Sequence, residues 1–237
     1  MPRLRRELMV LALAAAGLAD VSRADELKPY RASYEGIWHG MTVAISDLKL
    51  EQTGDTWTMS SSSSGRGLGR LAAGVFPPRQ VSVVRVTAAG VQPQSFKSEG
   101  GDSARSSDLS YDWQAHQVTG TLDGARLEQP LAPGVQDDGS VQLALMVELL
   151  AGRTPSSFLM IDPHGPRAYQ FARDGEATLE TPIGAIPTVI YRSQKAGSPR
   201  ITRFWCASHQ GYVPVKVEQT KGDEVQWTME IRSLSRQ

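Results

Sequence analysis

The side chains best suited to acid–base or nucleophilic chemistry are four histidines, His39, His116, His164 and His209, and one cysteine, Cys206. A serine hydrolase built on a strand-turn-helix elbow carries its nucleophile in a G-x-S-x-G turn, and that pattern is absent from the sequence. Each histidine has its own local context, so only the fold could assemble a triad from them. Cys206 lacks any signature of a reactive thiol shared with His209, and a lone cysteine of this kind is expected to be buried. Metal ligation fares no better. No H-x-x-x-H, H-E-x-x-H or paired-cysteine spacing occurs, Asp137-Asp138 lacks the oxygen-rich loop of a calcium site, and Asp162-Pro163-His164 is a single turn. Helix capping accounts for Asp138 and turn formation for Asp162. Gly65-x-Gly67-x-Gly69 follows a run of serines rather than a buried strand, so it reads as a loop and not a phosphate cradle. No catalytic residue, no metal and no cofactor is therefore expected.

Alternation is the stronger signal. Val225, Trp227, Met229 and Ile231 alternate with Gln226, Thr228, Glu230 and Arg232, as in a strand with one buried and one wet face. Val213, Val215 and Val217 do the same just before, and Lys221-Gly222-Asp223 between them forms a hairpin turn. The same pattern predicts strands over 30–38, 42–52, 55–61, 80–87, 92–98, 108–113, 116–121, 157–161, 168–173, 177–181, 188–194 and 199–207. In the second of these the apolar phase shifts from Met41, Val43 and Ile45 to Leu48 and Leu50, which predicts a β-bulge. Ser60 to Ser64 read as a lid or a solvated strand end. Gly139 to Ala151 is predicted to be a helix, capped by Asp138 or Ser140 and stopped at Gly152, with apolar residues covering more than one stripe. The expected fold class is mainly β: a curved antiparallel sheet, or open half-barrel, with one buried helix packed against it. Trp57, Met59, Trp205, Trp227 and Met229 are the candidates to line an apolar cavity on its inner side.

Location is read from the N-terminus. Arg3, Arg5 and Arg6 precede an apolar stretch from Leu8 to Leu18, and Ser22-Arg23-Ala24 carries small residues where a signal peptidase cuts. The expected organisation is a signal peptide over 1–24 and one domain over 25–237. The apolar run is too short for a membrane span, which takes about 20 residues. The chain carries 25 basic and 25 acidic residues, and cleavage after Ala24 leaves 21 and 23, so no strong field steers it to nucleic acid. A periplasmic location is expected, with no internal disulfide available from one cysteine.

Val135-Gln136-Asp137-Asp138-Gly139-Ser140, Glu180-Thr181-Pro182-Ile183-Gly184, Arg203-Phe204-Trp205 and Gly211-Tyr212-Val213-Pro214-Val215-Lys216-Val217 give the chain, over nearly all its mature length, a resemblance to the DUF3108 family of bacterial envelope proteins. The Thr-Pro-x-Gly and Pro-Val-Lys features also resemble, at the level of fold, periplasmic half-barrel carriers of the lipoprotein-sorting type. The resemblance implies an envelope location and a β-rich fold, and no activity. The expected function is non-enzymatic binding of a lipid, another amphipathic ligand or an envelope partner. The alternatives are an assembly factor acting through a protein interface, and a hydrolase with a spatially assembled site.

Overall fold

The computed structural model describes residues 27–65, 78–99 and 106–236. The predicted signal peptide and nearly all of the glycine-rich stretch 65–73 lie outside them. Alternating side chains give the first arm of the sheet: β1 (Tyr30–Trp38), β2 (Met41–Thr53), β3 (Thr56–Gly65), β4 (Arg79–Thr87), β5 (Gly90–Glu99), β6 (Ser107–Asp112), β7 (Gln117–Leu122) and β8 (Ala125–Pro130). A short β9 (Val135–Gln136) leads into helix α1 (Ser140–Leu150). The second arm is β10 (Ser157–Met160), β11 (Arg167–Thr181), β12 (Gly184–Lys195), β13 (Arg200–Ala207), β14 (Pro214–Lys221) and β15 (Glu224–Arg236).

These fifteen strands of the described residues form one open sheet in the order β8-β7-β6-β5-β4-β3-β2-β1-β15-β14-β13-β12-β11-β10-β9. All neighbours are antiparallel except β9 and β10. The outermost strands in sequence, β1 and β15, pair at the centre, with Tyr30 opposite Arg236 and Trp38 opposite Trp227. Each arm is a meander leading away from that seam, and the two sheet edges are separated in sequence only by residues 131–134.

The expected fold class is what the structure has, with local differences. β8 was not expected, yet Asp123-Gly124 before it has the left-handed φ values, 49° and 75°, of a two-residue hairpin turn. The two strands expected over 168–181 are one, β11, interrupted where Arg173 pairs with Tyr191 and Gly175 with Ile190, leaving Asp174 as a bulge. The serine run is part of β3 rather than a lid. The predicted bulge in β2 falls at Val43, because Gly36 pairs with Ala44 and Ile37 with Thr42. It sits earlier than the apolar residues imply because Ser46, although polar, is buried and bonds the hydroxyl of Ser63 at 2.8 Å.

Helix α1 lies inside the curl of the sheet. Leu143, Ala144 and Met146 pack with Tyr30, Leu50 and Val84, while Leu145 and Leu149 pack with Phe171, Tyr191 and Cys206 from the other arm. Apolar side chains all round the helix are therefore matched by strands on both flanks, each fully buried Leu contributing about 2 kcal/mol. A separate cluster beneath β5 to β9 contains Phe96, Leu109, Tyr111, Val118, Leu127 and Val135. The helix ends as expected at Gly152, whose N–H donates to Leu149 while that of Arg153 donates to Glu148, the paired bonds of a Schellman motif.

Gly120 faces Leu109 on one side and Leu127 on the other, and a Cβ there would meet the carbonyl oxygen of Asp108 at 2.0 Å. Gly120 also has a φ of 137°, which an L side chain rarely adopts. Gly120→Ala is expected to lower the unfolding free energy by about 3 kcal/mol, from backbone strain and the clash together. Urea titration of the two proteins checks it.

Candidate functional site

Two regions of the interior combine chemistry with position. The first lies at the end of the sheet where the β1–β2 and β14–β15 turns sit. Trp38 and Trp227 are opposite one another there, and with Met229 they pack on Val43 and Ala44, the two residues at the β2 bulge. Met41, opposite Trp38 in β2, is 49% exposed, so the apolar surface runs from the core out to solvent there. Toward the same end, the first arm presents hydroxyls. Leu48, Ser61, Gln80, Ser98 and Ser107 lie in register across β2 to β6, beside the Ser46–Ser63 pair. Leu48, Ser98 and Ser107 are buried, and Ser107 accepts the N–H of Asp123 at 3.1 Å.

The five residues expected to line a cavity divide between core and mouth. Trp57 and Met59 are buried with Tyr30, Leu50 and the helix, where they fill the core. Met229 and Trp227 are half-buried at the mouth. Trp205 is half-buried rather than buried, packed against the main core with the Lys216 ammonium 5.0 Å from its ring centre. Lys216 in turn bonds Glu218 at 3.3 Å and Glu230 at 3.4 Å. Trp227 and Met229 are thus brought together, while Trp57 and Met59 are neighbours deeper in.

The second region is the start of α1, where Asp137 rather than Asp138 or Ser140 supplies the cap. Asp137 Oδ1 accepts the N–H of Gly139 at 3.0 Å, the N–H of Ser140 at 2.7 Å and the hydroxyl of Ser82 at 3.0 Å. The Ser140 hydroxyl accepts the N–H of Asp137 at 2.8 Å, completing a reciprocal capping box with serine in the place usually held by Glu or Gln. A Cβ on Gly139 would stand 2.7 Å from that of Ser82, so the helix start is pressed against β4. Burial pushes the Asp137 carboxyl up to about 6, against the opposing pull of the Ser140 N–H and the Ser82 hydroxyl. The sequence held a usable signal for this, the Asp-x-x-Ser spacing of Asp137 and Ser140, while Ser82 lies 55 residues away and leaves no local trace.

Neither region assembles a triad. His39 lies in the β1–β2 turn, 3.7 Å from Glu224, His116 in the β6–β7 turn, His164 in the β10–β11 turn and His209 in the β13–β14 turn. Ser82 does meet a carboxylate, but both partners are buried in the core. Cys206 is fully buried, as expected, and burial raises its thiol well above the ordinary range. Among the described residues no group of three or more His, Cys, Asp or Glu is placed to hold a metal, and no helix is long and apolar enough to cross a membrane.

The chain matches the DUF3108 family, described as a protein of unknown function, over residues 29–226. No curated protein matches it. Among solved structures it is similar to a β-barrel-like protein of the domain of unknown function DUF1849 from Brucella abortus, with a TM-score of 0.56 and 10% identity over 90% of this chain and 99% of that one. A Bacteroides fragilis protein with a YmcC-like fold aligns at 11% identity over 89% of this chain and 97% of that one, with a TM-score of 0.32. The first likeness is one of fold alone.

The buried carboxyl generates a pH dependence with a definite sign. Because Asp137 holds its proton more tightly folded than unfolded, its contribution is most favourable in acid and is lost as pH rises from about 4 to about 6. Asp137→Asn keeps one acceptor oxygen for the cap and cannot ionise. Its stability relative to the parent protein is expected to rise by about 2 kcal/mol between pH 4 and pH 7. Urea unfolding of both proteins across that range checks it; a constant difference would contradict it.

Proposed function

The chain belongs to the DUF3108 family, and from that premise we propose that it is an exported, periplasmic protein that binds an apolar or amphipathic envelope ligand at the mouth of its half-barrel. The observation that supports this is the placing at one end of the sheet of Trp38, Trp227, Met229 and Met41, one strand from the hydroxyl pair of Ser46 and Ser63. Two tryptophans and two methionines offer polarizable apolar surface without rigid shape demands. Hydroxyls beside them donate to and accept from a polar end, the combination of apolar walls and few polar groups typical of small-molecule sites. In this reading Trp57 and Met59, buried in the main core, close the inner end, while Trp205, packed under the Lys216 ammonium, takes no part in the mouth. The signal peptide over 1–24 and a single domain over 25–237 belong to the same proposal, since an envelope ligand is met only after export.

Protein purified from the periplasm and examined by native mass spectrometry with lipid extraction is expected to carry a stoichiometric amphiphile. A brominated fatty acid should quench the tryptophan fluorescence, and Trp227→Ala with Met229→Ala should weaken that quenching at least tenfold while leaving the fold intact by circular dichroism. Lipid-free protein with unquenched tryptophans overturns the proposal, and a protein co-purifying at this face would favour an assembly factor instead.

A further inference from the structure

We propose that the outer face of the first arm carries a second site, a trough that takes a neutral, hydroxyl-rich glycan chain laid across the strands. Tyr30, Ala32 and Tyr34 of β1 and Ser46, Leu48 and Leu50 of β2 are buried on the inner side, so Arg31, Ser33, Asp47 and Lys49 between them point outward. Ser33, Asp47, Ser62, Arg79 and Glu99 stand in one row across β1 to β5. Short serine side chains on β3 and β15 leave a hollow of about 780 Å³ among the longer ones. A second hollow of about 410 Å³ continues from Arg79 and Glu99 to Asp108, and a third of about 690 Å³ from Asp108 to Arg126 and Glu128. Together they cross nine neighbouring strands, from β15 to β8. At the spacing of strands in a sheet that path is roughly 40 Å, which fits a chain rather than one small molecule.

The charges on the walls select the ligand. Arg79 and Glu99 are directly opposite on β4 and β5, and Lys97 and Asp108 hold the same relation on β5 and β6. Lys97 and Asp108 bond at 3.2 Å, whereas Arg79 and Glu99 make no ion pair among the described residues, nor do Arg31 and Asp47. Opposite charges on facing strands ordinarily attract each other into contact, so these four groups keep their donors and acceptors open to the hollow they line. Guanidinium groups only donate, carboxylates only accept, and serine hydroxyls do both. That mixture matches the neighbouring hydroxyls of a sugar, each a donor and an acceptor at once. A polyanion would be repelled by Asp47 and Glu99, and a cation by Arg31 and Arg79. The exposed large apolar side chains of the described residues, Met41, Ile183 and Val225, all lie outside the trough, which argues against an acyl chain there and separates this site from the mouth.

Titration of the intact protein with maltohexaose, cellohexaose and chitohexaose, followed by amide chemical shifts, is expected to give saturable shifts with at least one of them, centred on outward residues of β1 to β5. Asp47→Ala and Arg79→Ala, both at exposed positions, should each raise the dissociation constant at least tenfold with circular dichroism unchanged. Trp227→Ala with Met229→Ala should leave sugar binding as it is, and Asp47→Ala should leave quenching by the brominated fatty acid as it is, so the two sites stand or fall separately. Saturation by none of the three sugars, equal affinity for a heparin hexasaccharide, shifts confined to the mouth, or a protein captured on this face in place of a glycan overturns the proposal.

Discussion

A helix enclosed by a sheet has to satisfy its first N–H groups without solvent, and here that demand falls on one carboxyl. Asp137 meets it from the residue where β9 gives way to the helix, and the rest of the interior is arranged around the result. Ser82 interrupts an otherwise apolar inner row, between Met59 and Phe96, because its hydroxyl is the third donor to the same oxygen. Gly139 lacks a side chain where the helix start is pressed on Ser82. Once this end is fixed to β4, Leu143 and Met146 necessarily meet the first arm, and Leu145 and Leu149 the second. The stability cost of burying the charge is offset by the several donors that converge on it and by the apolar contacts that its position permits.

Residues whose polarity reports their direction were legible in the sequence. The β14–β15 hairpin, β1 and the helix all follow from apolar spacing, while the burial of Cys206 follows from its being a lone cysteine without a reactive signature. Residues whose polarity contradicts their direction were not. Ser46, Ser82, Ser98 and Ser107 point inward and are buried, so an alternation that counts only apolar side chains passes over them and over half of the proposed mouth. Strand β8 escaped notice because Leu127 is its single buried residue among Arg126, Glu128 and Gln129. The long β11 reads as two strands because the Asp174 bulge reverses its phase, a feature held by contacts to Arg203 at 2.8 Å and Arg192 at 3.8 Å on neighbouring strands. Asp137 and Asp138 are adjacent acids; the spacing to Ser140 points to Asp137 as the cap, whereas its bond to the distant Ser82 leaves no local trace.

The open sheet also has to avoid recruiting further strands at its edges. On one side β8 presents Arg126 and Glu128, paired at 3.1 Å, and ends in Pro130, which has no N–H to offer. On the other, β9 is two residues long and turns at once into the helix. Both edges are poor templates, and the exposed large apolar side chains of the described residues, Met41, Ile183 and Val225, lie on neither edge strand.

The seam between β1 and β15 carries a consequence for how the chain acquires its structure. The strand that begins the sheet waits for the strand that is synthesised last, with nearly the whole polypeptide as the intervening loop. Until β15 is available, β1 and β14 each keep an unpaired margin, so the seam favours late, cooperative closure over piecewise folding. The thirteen-residue β15 is the clasp that locks the two meanders into one sheet.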